Sequence, residues 1–225
     1  MFSIHDEKIL RTLAKQVKEA SLDPINASKK SFWYRHNSLK GERPAVFVHP
    51  DGAWNEFLPH DSLECELQYA KHIESLLKKR IFRHTFIHDD VPIEDILDVQ
   101  KVFTNSMWGL SPKFISPNAK DGAWHHEPII TKPSDWEQLK MPVVEYNAHA
   151  TAKRYEAVQN LLGDILKVNL VGEKNFSFHM LHWYCDYRGL ENLYMDLILE
   201  PEMVHRQIRF FRDGLISMYK KYEEQ

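Results

Sequence analysis

The residues best placed by type and spacing to do chemistry lie late in the chain, in the loop Asn175 to Tyr187, which carries His179, His182, Trp183, Tyr184 and Cys185. His179, His182 and Cys185 follow one another at a spacing that helical turns would align as ligands for a soft metal. The same side chains can instead form the wall of a pocket, with aromatic bodies packed and polar tips turned to a ligand. A second loop, His49-Pro50-Asp51-Gly52-Ala53-Trp54, offers an imidazole and a flat indole to a substrate. Its plainer reading is a tight turn at Pro50, Asp51 and Gly52, with Trp54 in the core. Trp108, in Ser106-Met107-Trp108-Gly109-Leu110, can line a planar substrate or simply pack.

Trp124-His125-His126-Glu127 invites a zinc reading. Adjacent histidines on an extended chain point to opposite sides, so a substrate contact from His126 is the better use of the pair. His88-Asp89-Asp90 could supply paired carboxylates for acid and base work, but Asp-Asp ahead of Val91-Pro92 reads more simply as a solvated turn. No Walker loop, no G-x-G-x-x-G and no G-x-S-x-G occurs, which removes the usual support for nucleotide binding or serine hydrolysis.

These residues must be positioned by alternating strands and helices. An amphipathic helix is expected over residues 6–19, capped by Asp6, with Ile9, Leu10, Leu13 and Val17 on one face. A shorter helix follows around Ser28 to Leu39, and Pro44 introduces a strand, Ala45 to Val48. Asp61 or Ser62 is expected to cap a long helix running from Leu63 to about Lys79. Residues 81–103 read as strand or extended chain, and 106–142 as a long irregular stretch of the kind that serves function. A helix over Ala148 to Leu162 stops at Gly163, and the strand Val168 to Val171 ends at Gly172. Two helices close the sequence. The first carries Leu190, Leu193, Tyr194, Leu197 and Ile198 on one stripe, and the second opens at Pro201 and repeats Val204, Ile208, Phe211, Leu215, Met218 and Tyr222. Alternation of this kind predicts α/β architecture with a parallel sheet.

With 225 residues, 43% of them hydrophobic and 12% aromatic, the chain can bury a sizeable core. Its 29 basic and 32 acidic residues give a net charge of -3, so nothing in the total points to nucleic acid or a membrane surface as a partner. The basic runs Lys78-Lys79-Arg80 and Lys220-Lys221 read as solvated helix faces. Two distant cysteines, Cys65 and Cys185, suit a reducing cytoplasm, and no segment approaches the roughly 18 apolar residues of a membrane span.

The run R-G-L-E-N-L-Y-M-D-L-I-L-E-P-E-M-V-H, from Arg188 to His205, preceded by a strand and an aromatic loop, resembles the middle of the uroporphyrinogen decarboxylase superfamily. The likeness is most specific over residues 143–225 and looser, but collinear, from Arg43 to Leu139. It rests on the order of the elements rather than on one short motif. The resemblance implies a (β/α)8 TIM-type barrel, of which this chain would hold roughly the N-terminal half: a helical prelude over 1–42 and an incomplete barrel over 43–225. It implies either a porphyrinogen decarboxylase or a methyltransferase passing methyl groups to a corrinoid protein. In those methyltransferases zinc sits on a His-x-Cys and a distant Cys in the second half of the barrel, so no metal ligand is expected among these residues.

The decarboxylases hold substrate carboxylates with an Arg-Gln-Ala-Gly-Arg segment, where this chain has Phe32-Trp33-Tyr34-Arg35-His36-Asn37. The expected function is therefore methyl transfer from a small donor, such as a methoxylated aromatic or a methylamine, to a corrinoid partner. Substrate would be met by His49, Trp54, Trp108, His126, His179 and Tyr184. Two alternatives stand: a decarboxylase of a tetrapyrrole-like or acidic substrate, for which only Arg35 and Arg188 are plausible pocket arginines, and a non-catalytic subunit that completes another chain's barrel. A homo-oligomer is also expected to be compatible with the open sheet edges.

Overall fold

The computed structural model describes residues 2–116, 125–174 and 176–224. It is mixed α/β, with eight α-helices and six short strands among the described residues. They are α1 (Ile4–Ser21), α2 (Ile25–Asn37), α3 (Trp54–Phe57), α4 (Gln68–Phe86), β1 (Ile96–Gln100), β2 (Phe103–Asn105), β3 (Lys113–Ile115), β4 (His125–Glu127), β5 (Val144–Tyr146), α5 (Ala148–Leu162), β6 (Lys167–Val171), α6 (Met180–Arg188), α7 (Leu190–Leu199) and α8 (Pro201–Glu223). The strands form three two-stranded sheets, β1 with β6, β2 with β5 and β3 with β4, and no closed barrel among the described residues. The Lys167 amide donates to Asp95 O and the Lys101 amide to Val171 O, so β1 and β6 run in the same direction. The other two pairs are antiparallel. No helix is long and apolar enough to cross a membrane.

The chain divides into two compact units. The first comprises Met1–Val99 and Ala152–Leu170, the second Gln100–Thr151 and Val171–Gln225.

In the first unit α1 begins earlier than expected, because Ser3 is the cap: its hydroxyl accepts from the Asp6 amide at 3.1 Å. Asp6 is buried instead, and its carboxylate accepts from the amides of Glu66 at 2.7 Å and Leu67 at 3.4 Å. Burial would raise its pKa, but these amides prevail and hold it below the usual range. Leu10, Ala14 and Val17 then fall on the buried face against α4 residues Ala70, Ile73 and Leu77.

The second carboxylate of this kind explains why α4 starts at Gln68 and not at Leu63. Glu74, fully buried, reaches back to accept from the amides of Glu64 and Cys65, at 2.9 and 2.8 Å, and pairs with Lys78 at 2.7 Å. Those amides are thereby satisfied outside the helix. At its other end α4 continues through Phe86, where a strand was expected, and Phe82 and Phe86 pack one turn apart, tilted by 47° with centroids 4.8 Å apart.

Residues 45–48 are extended but pair with no strand. Carboxylates take the place of the missing neighbour: Val46 N donates to Asp90 Oδ2 at 2.8 Å and Val48 N to Asp89 Oδ2 at 3.1 Å. Arg83 pairs with Asp89, and Arg43 clamps Asp90 through both oxygens at 2.5 and 2.8 Å. The Arg43 guanidinium and the Val46 amide pull the Asp90 pKa down to about 2. A folded pKa below the unfolded value stabilises above pH ~4 and is lost as pH falls towards 2. Between pH 4 and 2 the Val46 amide is therefore expected to lose hydrogen-exchange protection before the α1 core does, and Arg43→Gln should move that loss to higher pH.

In the second unit the core gathers Trp108, Ile130, Trp136, Tyr184, Tyr187, Leu193, Val204, Phe211 and Leu215. The loop expected over 175–187 is largely helix, α6. Gly189, at φ 84°, turns α6 into α7, a backbone that favours glycine. Arg188 and Asp196 meet inside this corner, with Arg188 Nε to Asp196 Oδ2 at 2.8 Å. That pair decides which way α7 faces. Leu193 and Asp196 are buried, whereas Tyr194, Leu197 and Ile198 of the expected apolar stripe are exposed, Ile198 by 79%. Pro201 occupies the first turn of α8, and Met203, Val204, Phe211, Leu215 and Met218 are buried along that helix.

Candidate functional site

A cleft of about 160 Å³ lies in the second unit, lined by Asn105, Met107, Glu173, Phe176, Ser177, Trp183, Leu215, Met218, Tyr219 and Tyr222. Four segments build it, α6 contributing Trp183. Asn105 is the last residue of β2; its Oδ1 accepts from the Met107 amide at 2.8 Å, and its Nδ2 donates to Tyr222 Oη and Met218 Sδ, each at 3.2 Å. The loop leaving β6 supplies Glu173, Phe176 and Ser177, at the carboxyl end of a parallel strand where α/β proteins commonly meet ligands. Helix α8 presents Leu215, Met218, Tyr219 and Tyr222 at the spacing of one face.

The walls are aromatic. The Phe176 and Tyr219 centroids are 4.2 Å apart, and Phe178 stacks on Tyr219 at 4.7 Å with an interplanar angle of 6°. The Tyr219 hydroxyl is buried and has no hydrogen-bond partner among the described residues. Burial raises its pKa, so the hydroxyl keeps its proton at neutral pH. Glu173 Oε1 accepts the Lys174 amide at 3.0 Å. Among the described residues the lining holds no arginine, lysine, histidine or cysteine. Such a cleft is about the size of one benzene ring, since a cavity of about 150 Å³ accommodates benzene.

The six residues singled out by sequence separate between the units. In the first, His49 is exposed with its ring 6.0 Å from Phe47, and Trp54 packs edge-on to Phe82 at 5.6 Å with Lys79 Nζ 5.3 Å from its face. In the second, Trp108 and Tyr184 share the core. Trp108 is fully buried against Trp183, Phe210 and Phe211, and Tyr184 donates to Asp196 Oδ2 at 2.7 Å. Neither lines the cleft. His179 is exposed immediately before α6. The His126 backbone pairs with Phe114 across β3 and β4, and its side chain lies outside the described residues, as does Trp124 altogether.

The other constellations resolve into structural work. Asp89 and Asp90 are occupied by amides and arginines, as described above. His182 approaches Asp186 at 3.5 Å, while Cys185 is half-buried and its thiol is pushed up by burial. No group of three or more His, Cys, Asp or Glu that could hold a metal occurs among the described residues. Arg188 is committed inward: besides Asp196 it donates to Thr131 O at 2.7 Å and Ile130 O at 3.2 Å. Tyr187, beside it, donates to Leu110 O at 2.8 Å, and burial with the nearby Asp186 charge pushes its pKa up to about 12.

Asn105, Phe176, Tyr219 and most of the α8 lining were not singled out by sequence. The available signal was the pair Tyr219 and Tyr222 at the end of an apolar stripe, where a leucine would pack without a hydroxyl to satisfy. Comparison with protein-family models, with curated proteins and with solved structures returns no match to this chain.

Proposed function

We propose that this is a uroporphyrinogen decarboxylase-like protein of the methyltransferase branch, moving a methyl group from a small donor such as a methoxylated aromatic to a corrinoid carried by a partner protein. The observation that carries the reading is the cleft beyond β6, with its ring walls, two thioethers and about 160 Å³. A tetrapyrrole does not fit that volume, and a polycarboxylate would find no arginine there. Arg188 is held by Asp196 and two carbonyls. Arg35, which donates to Ser31 at 3.0 Å, lines with Lys29 and Arg43 a separate cleft of about 540 Å³ in the first unit, and decarboxylation of an acidic substrate stands as the alternative there.

On this reading β1, α5 and β6 are part of a (β/α)8 barrel, and the protein works in the cytoplasm. Zinc, where bound, would activate the donor as a Lewis acid. The described residues do not provide its ligand set. What this chain would contribute is a dry aromatic wall that orients the donor and excludes water.

The experiment is to purify the protein from its native cells with whatever accompanies it, supply a neutral methoxylated benzene, and follow methylation of the corrinoid by its absorbance. Methyl transfer is the expected result. Release of carbon dioxide from a carboxylated tetrapyrrole, without methyl transfer, overturns it. A second reading, a non-catalytic subunit that covers another chain, has the exposed Tyr194, Leu197 and Ile198 of α7 in its favour. A stable complex with a second polypeptide and no turnover is the outcome that favours it.

A further inference from the structure

We infer that the cleft of about 540 Å³ in the first unit binds an organic monoanion, one carboxylate carried on an apolar body, with Lys29 and Arg35 as its cations. This goes beyond both readings above, since the methyl-donor cleft lies in the other unit and binding here needs no turnover. Ile25, Ser28, Lys29, Phe32 and Arg35 recur along α2 at helical spacing and so share one face. Glu42, Arg43 and Asp90 complete the lining from the chain segments beside that helix.

Arg43 and Asp90 neutralise one another. Both Asp90 oxygens accept from the guanidinium, at 2.5 and 2.8 Å, and Oδ2 also takes the Val46 amide. Arg43 donates further to Pro44 O at 2.9 Å and lies 4.1 Å from the Phe32 ring centroid. Among the described residues the Lys29 ammonium donates only to Val91 O, at 3.3 Å, and the Arg35 guanidinium only to Ser31 Oγ, at 3.0 Å. Neither forms an ion pair there, whereas the adjacent Lys30 is paired with Glu94 at 2.8 Å. The Ser28 hydroxyl and the Glu42 carboxylate have no hydrogen-bond partner among the described residues, so the one can donate to an anion and the other repels it. Lys29, Arg35 and Arg43 set against Glu42 and Asp90 leave one net positive charge. A single carboxylate balances it, while a dianion meets the Glu42 charge uncompensated. The open fork of Arg35 suits two carboxylate oxygens, and Ile25, 49% exposed, and Phe32 offer apolar surface to the rest of the ligand.

The test titrates the full chain with hexanoate, 1-hexanol and adipate at constant ionic strength, read by NMR from the Ile25 methyl resonances. Hexanoate is expected to shift them and to bind more tightly than hexanol. The ratio of those two affinities is expected to fall roughly fivefold in Arg35→Gln and in Lys29→Gln, the upper worth of an exposed ion pair. Each of these side chains makes a single hydrogen bond to the described residues, so both variants are expected to fold. Adipate, with the same six carbons and a second carboxylate, is expected to bind no more tightly than hexanoate. Glu42→Gln should raise adipate affinity relative to hexanoate about twofold, a gain that misfolding does not produce. A hexanoate-to-hexanol ratio unchanged in both lysine and arginine variants overturns the role of the cations. Adipate binding more tightly than hexanoate in the unaltered protein overturns the selection of a monoanion. No shift at Ile25 with hexanoate overturns the site altogether, and none of these outcomes touches the cleft in the second unit.

Discussion

Replacing Arg188 by methionine is expected to destabilise the second unit by about 3 kcal/mol or more, the loss typical of removing one partner from a buried ion pair. Arg188 is only 12% exposed and Asp196 only 6% at their side chains. Arg188 holds Asp196 through Nε and Nη2 at 2.8 and 3.0 Å while its Nη1 binds the carbonyls of Thr131 and Ile130. The guanidinium, first by its hydrogen bond, keeps the Asp196 carboxyl below its usual range. Without it, Asp196 is a buried carboxylate facing only the Tyr184 hydroxyl, and two carbonyls lose their donor. Asp196→Asn in the same background should recover part of the loss by removing the stranded charge. Urea unfolding followed by tryptophan fluorescence gives both numbers. A loss under about 1 kcal/mol for Arg188→Met would place the pair among weak surface ion pairs and remove it as the determinant of the α6–α7 corner.

A change of sign is expected at Gly214. In an isolated helix alanine is favoured over glycine by about 1 kcal/mol. In α8 a Cβ at this position would lie 2.4 Å from Trp108 Cζ3, 2.7 Å from Cη2 and 2.9 Å from Pro142 Cδ. Trp108 cannot retreat, being fully buried with Phe211 edge-on at 4.9 Å and Trp183 at 5.7 Å. Gly214→Ala should therefore destabilise by about 2–3 kcal/mol, the scale of an overpacked core. In a Trp108→Leu background the same substitution should become neutral or stabilising by up to about 1 kcal/mol, as helix propensity reasserts itself. The four proteins form a cycle whose coupling term, about 2 kcal/mol or more, measures the contact. A coupling near zero would mean that Trp108 does not press on Gly214.

The helices were legible wherever local rules suffice. α5 spans the residues that periodicity and the stop at Gly163 indicate, and α8 opens at Pro201 with its apolar repeat turned inward. The parallel pairing of β6 likewise agrees with the alternation of strands and helices. Three of the departures share one physical cause: a side chain outside the local stretch satisfied a backbone group that local reasoning had assigned elsewhere. Asp6 left its expected cap for the amides of Glu66 and Leu67, Glu74 drew residues 64 and 65 out of α4, and Asp89 and Asp90 stood in for a strand beside 46–48.

The cleft follows the same division. Composition and order by themselves determined an α/β chain with an aromatic loop after its last strand. Which aromatics line a space and which fill the core was decided by packing, because Trp108 and Trp183 look alike in sequence, yet one is sealed under Gly214 and the other borders the cleft. The facing of α7 was likewise decided by Arg188 and Asp196: a buried charge must keep its partner, and that requirement outweighs the exposure of an apolar stripe.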